Sequence, residues 1–399
     1  MLRSQVRFRF LAAGLMALLA LPLAAQETWV YQQGRKWVEE TSGSLPAAHS
    51  LRAAMRLGSV RVTGAAQANI TYVIRKTAVA GSEAEARRQF ARIRVIVRSG
   101  EPAVVAAELD GGSVRGLSVK ADVTVPRDTD SVLAESGGGS VAVSNLAGRV
   151  KAMTGGGSLD LRSIAGPVVA STGGGSIRVA DVAVVKLSTG GGGVEVAGPT
   201  GALSVSSGGG TVRVASVSRN AVITTGGGGI EATKCGGSLN ASTGGGSIDI
   251  VEVGGPAILE TAGGSIRLGS AHGPVRATTG GGSIQLMKLA SSAFAETGAG
   301  SITAQFVAQR GSFADSALQS GAGDVVVYLP PDLPVTVEAH IEAAMGHSIV
   351  TDFPEIRVST EGGVFGPHDV SASGSLNGGG PTLRIQTTLG SIQIRKLQP

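Results

Sequence analysis

Glycine runs recur through the middle of the chain at a nearly fixed interval, and that interval restricts the fold more than any other feature. Taking the residue after each run as an anchor gives Ser140, Ser158, Ser176, Gly193, Thr211, Gly229, Ser247, Ser265, Ser283 and Ser301. Every step is 18 residues except the 17 between Ser176 and Gly193. A fixed period of this length marks stacked units, each too small to bury its apolar face alone.

Aligned on the anchors, the repeats become columns. The first position after the anchor runs Val141, Leu159, Ile177, Val194, Val212, Ile230, Ile248, Ile266, Ile284, Ile302. The third runs Val143, Leu161, Val179, Val196, Val214, Ala232, Ile250, Leu268, Leu286, Ala304. Apolar residues two apart specify a strand buried on one face. A second strand follows about ten residues past each anchor, with pairs such as Val150 and Ala152, Val168 and Ala170, Leu203 and Val205, Val275 and Ala277. Between the two lies a further apolar column of Leu146, Ile164, Val182, Val217, Cys235, Val253 and Leu289, with Pro199 and Ala271 as irregular members.

Stacked in parallel, such repeats complete one another's backbone hydrogen bonds. The expected fold is all-β: a single-stranded β-solenoid (β-helix) of about ten 18-residue coils, a rod about 45 to 50 Å long. The glycine runs fall at one corner, where positive φ and tight backbone approach are expected. Composition agrees, since 62 glycines with 3% aromatic residues make a poor conventional core. The 42% of hydrophobic residues is too high for a disordered chain.

The domain plan has four parts. Arg3, Arg7 and Arg9 precede an apolar run from Phe10 to Leu23 and the small residues Ala24 and Ala25, so residues 1–25 read as an export signal. Residues 26–136 form an N-terminal β-rich cap, with strand-like runs at Ser59 to Thr63, Ile70 to Arg75, Ile93 to Val97, Val104 to Leu109 and Val119 to Val125. A capping box, Ser82-Glu83-Ala84-Glu85, predicts a short helix over 83–90. Residues 137–324 are the regular repeats and 325–399 the C-terminal irregular coils and cap. Caps are needed because open strand edges template aggregation.

The segment VTVPRDTDSVLAESGGGSVAVSNLAGRVKAMTGGGSLDL and the terminal LNGGGPTLRIQTTLGSIQIRK resemble bacterial β-strand-repeat domains of unknown function described as putative adhesins. The resemblance spans nearly all of the chain after residue 25. It implies a β-helical envelope or surface protein and supplies no catalytic residues.

Site chemistry is sparse. A phosphate-binding loop needs glycines leading into a helix, with lysine and a hydroxyl residue in place, whereas these runs lead into strands and no Gly-Lys pair occurs. A calcium β-roll needs recurring aspartates, yet Asp160 and Asp249 alternate with Arg178, Arg213 and Arg267. His49, His272, His340, His347 and His368 lack metal-ligand spacing, and no serine sits in a nucleophile elbow. No catalytic, cofactor-binding or metal residue is therefore assigned, and no cofactor is expected. Cys235 is the sole cysteine, and its column favours burial.

Removing the leader's three arginines, with no acid among residues 1–25, lowers the formal charge from +5 to +2. With no basic cluster interleaved with aromatics, nucleic acid is not expected as a partner. No later segment is apolar and long enough for a membrane span. The leading expectation is a noncatalytic, exported, adhesin-like scaffold, periplasmic, cell-surface or secreted, whose partner is an unknown protein or surface glycan. One alternative is a structural or regulatory envelope protein acting through its caps, with Trp29, Tyr31 and Trp37 engaging another protein. The other is a carbohydrate-active β-helix enzyme.

Two polar columns complete the pattern. Thr154, Thr172, Thr189, Ser207, Thr225, Thr243, Thr261, Thr279 and Thr297 precede the glycines with the parity of the buried strand. They read as a corner hydroxyl ladder, or else as a threonine array for ice or carbohydrate. Asp160, Arg178, Glu195, Arg213, Glu231, Asp249, Arg267 and Gln285 point outward, alternating in sign until Glu231 meets Asp249. Cross-strand ion pairs are worth about 0.2 to 1 kcal/mol each, so this column reads as a register device. Arg213→Glu would gather acids in four successive rungs, with Glu195, Glu231 and Asp249, and is expected to lower the melting temperature, more at low salt. An unchanged value would contradict the register.

Overall fold

The computed structural model describes residues 26–111, 116–361 and 369–398. The expected leader over 1–25 and His368 lie outside them. The described residues are all-β apart from one helix.

Two parallel ladders run through the repeats. In the first, Val141 pairs with Leu159, Leu159 with Ile177, Ile230 with Ile248 and Ile284 with Ile302. In the second, Val150 pairs with Val168, Ala221 with Leu239 and Val275 with Ala293. Each repeat thus contributes one rung to both ladders. The aliphatic columns lie inside: Val141, Ile230, Ile248 and Ile302 are wholly buried, as are Cys235 and Ala271. Full burial of such a side chain stabilises by about 1.5 to 3 kcal/mol, and the in-register stack repeats that gain at every rung. Burial also pushes the Cys235 thiol above its ordinary pKa.

One column member needs correcting. Thr200, not Pro199, enters the interior, pairing with Val182 and Val217. The repeat that begins at Ile177 is one residue short and takes up the deficit between Val182 and Val184, opposite Ile164 and Pro167; in the next repeat a separate irregularity between Val196 and Pro199 shifts the inward position one residue on.

The glycine corner also differs from expectation. None of the triplet glycines has positive φ in the repeats; the positive-φ positions include Asn145, Ser163, Asp181 and Lys288, at another corner. Close approach alone accounts for the triplets. A Cβ on Gly173 would lie 2.2 Å from the Gly155 carbonyl oxygen, and one on Gly175 would lie 2.0 Å from the Gly157 oxygen and 2.4 Å from its carbon. A Cβ on Gly174 would meet nothing within 4 Å. The sequence obeys this hierarchy: alanine stands in the middle at Ala299 and Ala322, and in the first place at Ala262, while the third place stays glycine through Gly264, Gly300 and Gly323.

Ten elements build the N-terminal end: β1 Glu27–Gln33, β2 Lys36–Leu45, β3 Ser50–Met55, β4 Ser59–Ala65, β5 Ile70–Val79, α1 Glu83–Phe90, β6 Ile93–Arg98, β7 Ala103–Leu109, β8 Ser118–Pro126 and β9 Ser131–Ser136. The first ladder continues through β4 and β8 in parallel, then antiparallel through β5, β2 and β1. The second continues from β9 to β3 and β7, and ends antiparallel at β6. The expected helix forms as predicted: Ser82 Oγ accepts from the Glu85 amide at 3.3 Å, and the Glu85 carboxylate accepts from the Gly81 amide. Ala86 and Phe90 bury its apolar face. Beneath it Lys76, 7% exposed, pairs with Glu39 at 2.7 Å and donates to the Phe90 carbonyl.

At the other end, strands Thr382–Leu389 and Ile392–Lys396 do not close the stack. They insert between Ser316–Ala322 and Val325–Leu329 on one side and Val335–Ile341 and Ile349–Thr351 on the other. Leu383, Ile385, Ile392 and Ile394 are wholly buried, which requires a neighbour on both sides.

Gly174→Ala is expected to change the unfolding free energy by less than about 0.5 kcal/mol, because the site is open. Gly175→Ala is expected to cost about 3 kcal/mol or more, because a rigid backbone carbonyl occupies the Cβ position. Thermal or denaturant unfolding of the two variants checks the order.

Candidate functional site

The hydroxyl column fails as a binding array, because every member is buried and its hydroxyl is committed. Thr172 Oγ1 donates to the Gly157 carbonyl at 2.8 Å and accepts from the Gly175 amide at 3.2 Å. The same clasp recurs at Thr154, Thr189, Ser207, Thr243, Thr261, Thr279 and Thr297. Ser136, Ser320 and Thr387 donate in the same manner, so the series runs beyond the column seen in the sequence.

The charged column keeps its expected register, with Arg178 opposite Glu195, Arg213 opposite Glu231 and Asp249 opposite Arg267. Ion pairs form at 2.9, 3.0 and 3.1 Å respectively. Asp160 instead pairs within its own strand, with Arg162 at 2.7 Å. Its neighbour Arg178 turns to Glu195. These pairs neutralise one another and leave the face without a focused charge.

Among the cap aromatics, Trp29 and Tyr31 stand exposed at 64% and 41% on β1, while Trp37 packs against the core with its indole Nε1 unpartnered.

The outward face of the second ladder holds a different arrangement. Strand Ala293–Thr297 alternates Ala293, Ala295 and Thr297 inward with Phe294 and Glu296 outward. Phe294 is 43% exposed, a large apolar ring held in water by strand parity. Its cross-strand neighbours are Arg276 and Ala317. One column over, Thr278, Glu296, Gln319 and Gln386 follow in successive rungs, about 4.8 Å apart. Gln319 Nε2 donates to Gln386 Oε1 at 2.9 Å, fixing both amides. Ala317 leaves space beside the ring, a hollow of about 260 Å³ bounded by Phe294, Arg276, Glu296 and Gln319. An adjoining groove of about 540 Å³ has a floor of Gly280, Gly298 and Gly321. Its far wall is Glu342, which accepts from Thr388 at 3.0 Å.

This cleft joins one aromatic face to guanidinium, carboxylate, amide and hydroxyl groups on a floor without side chains. Such a set suits a ring with one apolar face and a hydroxyl-bearing rim. Phe294 was visible in the sequence as the first aromatic residue of the repeats. Gln386, Thr388 and Glu342 were not, because the inserted C-terminal rung brings them there.

Among the described residues no three His, Cys, Asp or Glu side chains are grouped to hold a metal ion, and no helix is long and apolar enough to cross a membrane.

No family model matches the chain, and no curated protein matches it. Solved structures similar to it include a putative adhesin from Bacteroides fragilis, at 12% identity over 90% of this chain and 97% of that one, with a TM-score of 0.25. A putative adhesin from Parabacteroides distasonis is 9% identical over 73% of this chain and 97% of its own, with a TM-score of 0.27. A protein of the same organism described as a putative lipid-binding protein is 9% identical over 73% and 96%, with a TM-score of 0.24.

Removing a clasp tests the structural role of the hydroxyls. Thr261→Val keeps the shape but leaves the Gly246 carbonyl and Gly264 amide without that partner. The expected cost is about 1 to 3 kcal/mol, read as a lower denaturation midpoint.

Proposed function

We propose that the chain is an exported, noncatalytic β-solenoid of about ten coils that works as an adhesin-like scaffold, binding a surface glycan through the cleft around Phe294. The observation that carries this reading is the exposed Phe294 ring set among Arg276, Thr278, Glu296 and Gln319 beside a glycine-floored groove. A sugar ring stacked on Phe294 would direct its hydroxyls to these side chains, and the groove leaves room for the next residue of the oligosaccharide. A rigid stacked core suits such a surface, because the contacting side chains project from paired strands and lose little freedom on binding. The leader expected at 1–25 would take the chain out of the cytoplasm to where such glycans are displayed.

Glycan-array binding of the chain from Gln26 onward tests this, followed by titration of the saccharides retained. Phe294→Ala is expected to weaken binding at least about tenfold, as loss of a stacking aromatic does. The melting temperature is expected to hold, since the ring is largely outside the core. Equal affinity of this variant and the parent, or no saccharide retained, would overturn the reading.

A further inference from the structure

The opposite end of the stack finishes in a strand with one edge unpaired among the described residues. The second ladder terminates at β6, whose only partner among the described residues is β7. The Asp110 amide donates to the Arg92 carbonyl at 2.8 Å, which sets the alternation of the antiparallel pair. Arg94, Ile96 and Arg98 therefore turn their backbone groups toward β7, and Val95 and Val97 present theirs to the open edge. The side chains have the opposite sorting. Val95 and Val97 pack against the core, while Arg94, Ile96 and Arg98 lie on the outer face.

Beside this edge runs a shallow trough of about 450 Å³. Its floor is the cross-strand row Ile96, Ala106 and Ala54, where short side chains leave a depression across β6, β7 and β3. Arg98, Arg52 and Arg56 flank it. Arg52 is held by Glu135 at 2.9 Å and Arg94 by Glu108. Arg56 and Arg98 have no ion-pair partner among the described residues, and both are exposed. An open backbone edge, an apolar notch at its centre and unneutralised guanidinium groups thus coincide within one surface.

We infer that β6 accepts an acidic, extended polypeptide segment as an added strand. Main-chain hydrogen bonds to Val95 and Val97 supply the pairing, and alternate side chains supply the specificity. Side chains of the added strand that share the outer face fall beside Arg94, Ile96 and Arg98. The matching pattern is acid, any residue, apolar, any residue, acid. The apolar side chain covers the trough floor, one acid meets the unpaired Arg98, and the other lies beside Arg94, which Glu108 also engages.

A fluorescent peptide of the form Glu-Thr-Val-Thr-Glu, flanked by neutral residues, titrated into the chain from Gln26 onward tests the inference by anisotropy. The acidic peptide is expected to bind and its lysine counterpart not to. Arg98→Glu is expected to weaken binding at least about fivefold, and added salt to weaken it further. N-methylation of the peptide amides that face β6 is expected to abolish it. Arg98→Gln, with an unchanged melting temperature, separates lost charge from lost fold. Equal binding of the lysine peptide, affinity unaffected by Arg98→Glu, or insensitivity to N-methylation would each overturn the proposal. So would displacement of the peptide by a second copy of the chain, or binding of polygalacturonate while the peptide fails.

Discussion

The clasp between each hydroxyl and the third glycine of the preceding run holds the stack in phase. Thr172 reaches the Gly157 carbonyl, and Gly175 lies so close to that same carbonyl that a side chain there would collide with it. One oxygen therefore fixes both the lateral position and the approach distance of the next rung. Slippage by one residue would bury a different side-chain set and leave these polar groups unpaired, so the corner and the aliphatic columns enforce the same register. Where a repeat is one residue short, after Ile177, the corner keeps its geometry and the deficit is taken up between Val182 and Val184.

Much of the architecture was legible because it repeats. The inward columns, the outward charges and the helix capped by Ser82 all depend on local period or short motifs, and the structure places them where the pattern predicts. Positive φ and tight backbone approach are both expected of the triplets, and of the two only tight approach occurs there. An alignment on anchors puts Pro199 inward because it cannot show a one-residue shift inside a repeat of ordinary length. The antiparallel β1 and β2 hairpin lacked a period altogether.

The candidate cleft was half visible. Phe294 and Glu296 follow from strand parity in Ala293–Thr297, and Arg276 and Thr278 from the 18-residue spacing. Gln386, Thr388 and Glu342 come from segments that are distant in sequence, and no period connects them to the repeats. The two surfaces singled out by their chemistry therefore lie where the regular pattern yields to irregular chain at either end. In the uniform middle between them, Arg178, Arg213 and Arg267 are paired with Glu195, Glu231 and Asp249.

The inserted rung of Thr382–Lys396 has a bearing on how the protein acquires its shape. Through the repeats each new layer docks on one that lies a single period behind it, so loop closure is short and assembly can proceed like a zipper. The layer containing Val335–Ile341 meets no ready platform in that way. Its antiparallel partner, Asp369–Leu376, lies downstream, and its parallel partner, Thr382–Leu389, must return to lie between it and Ser316–Ala322. The stack thus combines a low-contact-order body with a high-contact-order terminus. The wall that carries Glu342 and Gln386 depends on that long-range pairing, so the cleft is complete only with the inserted rung in place.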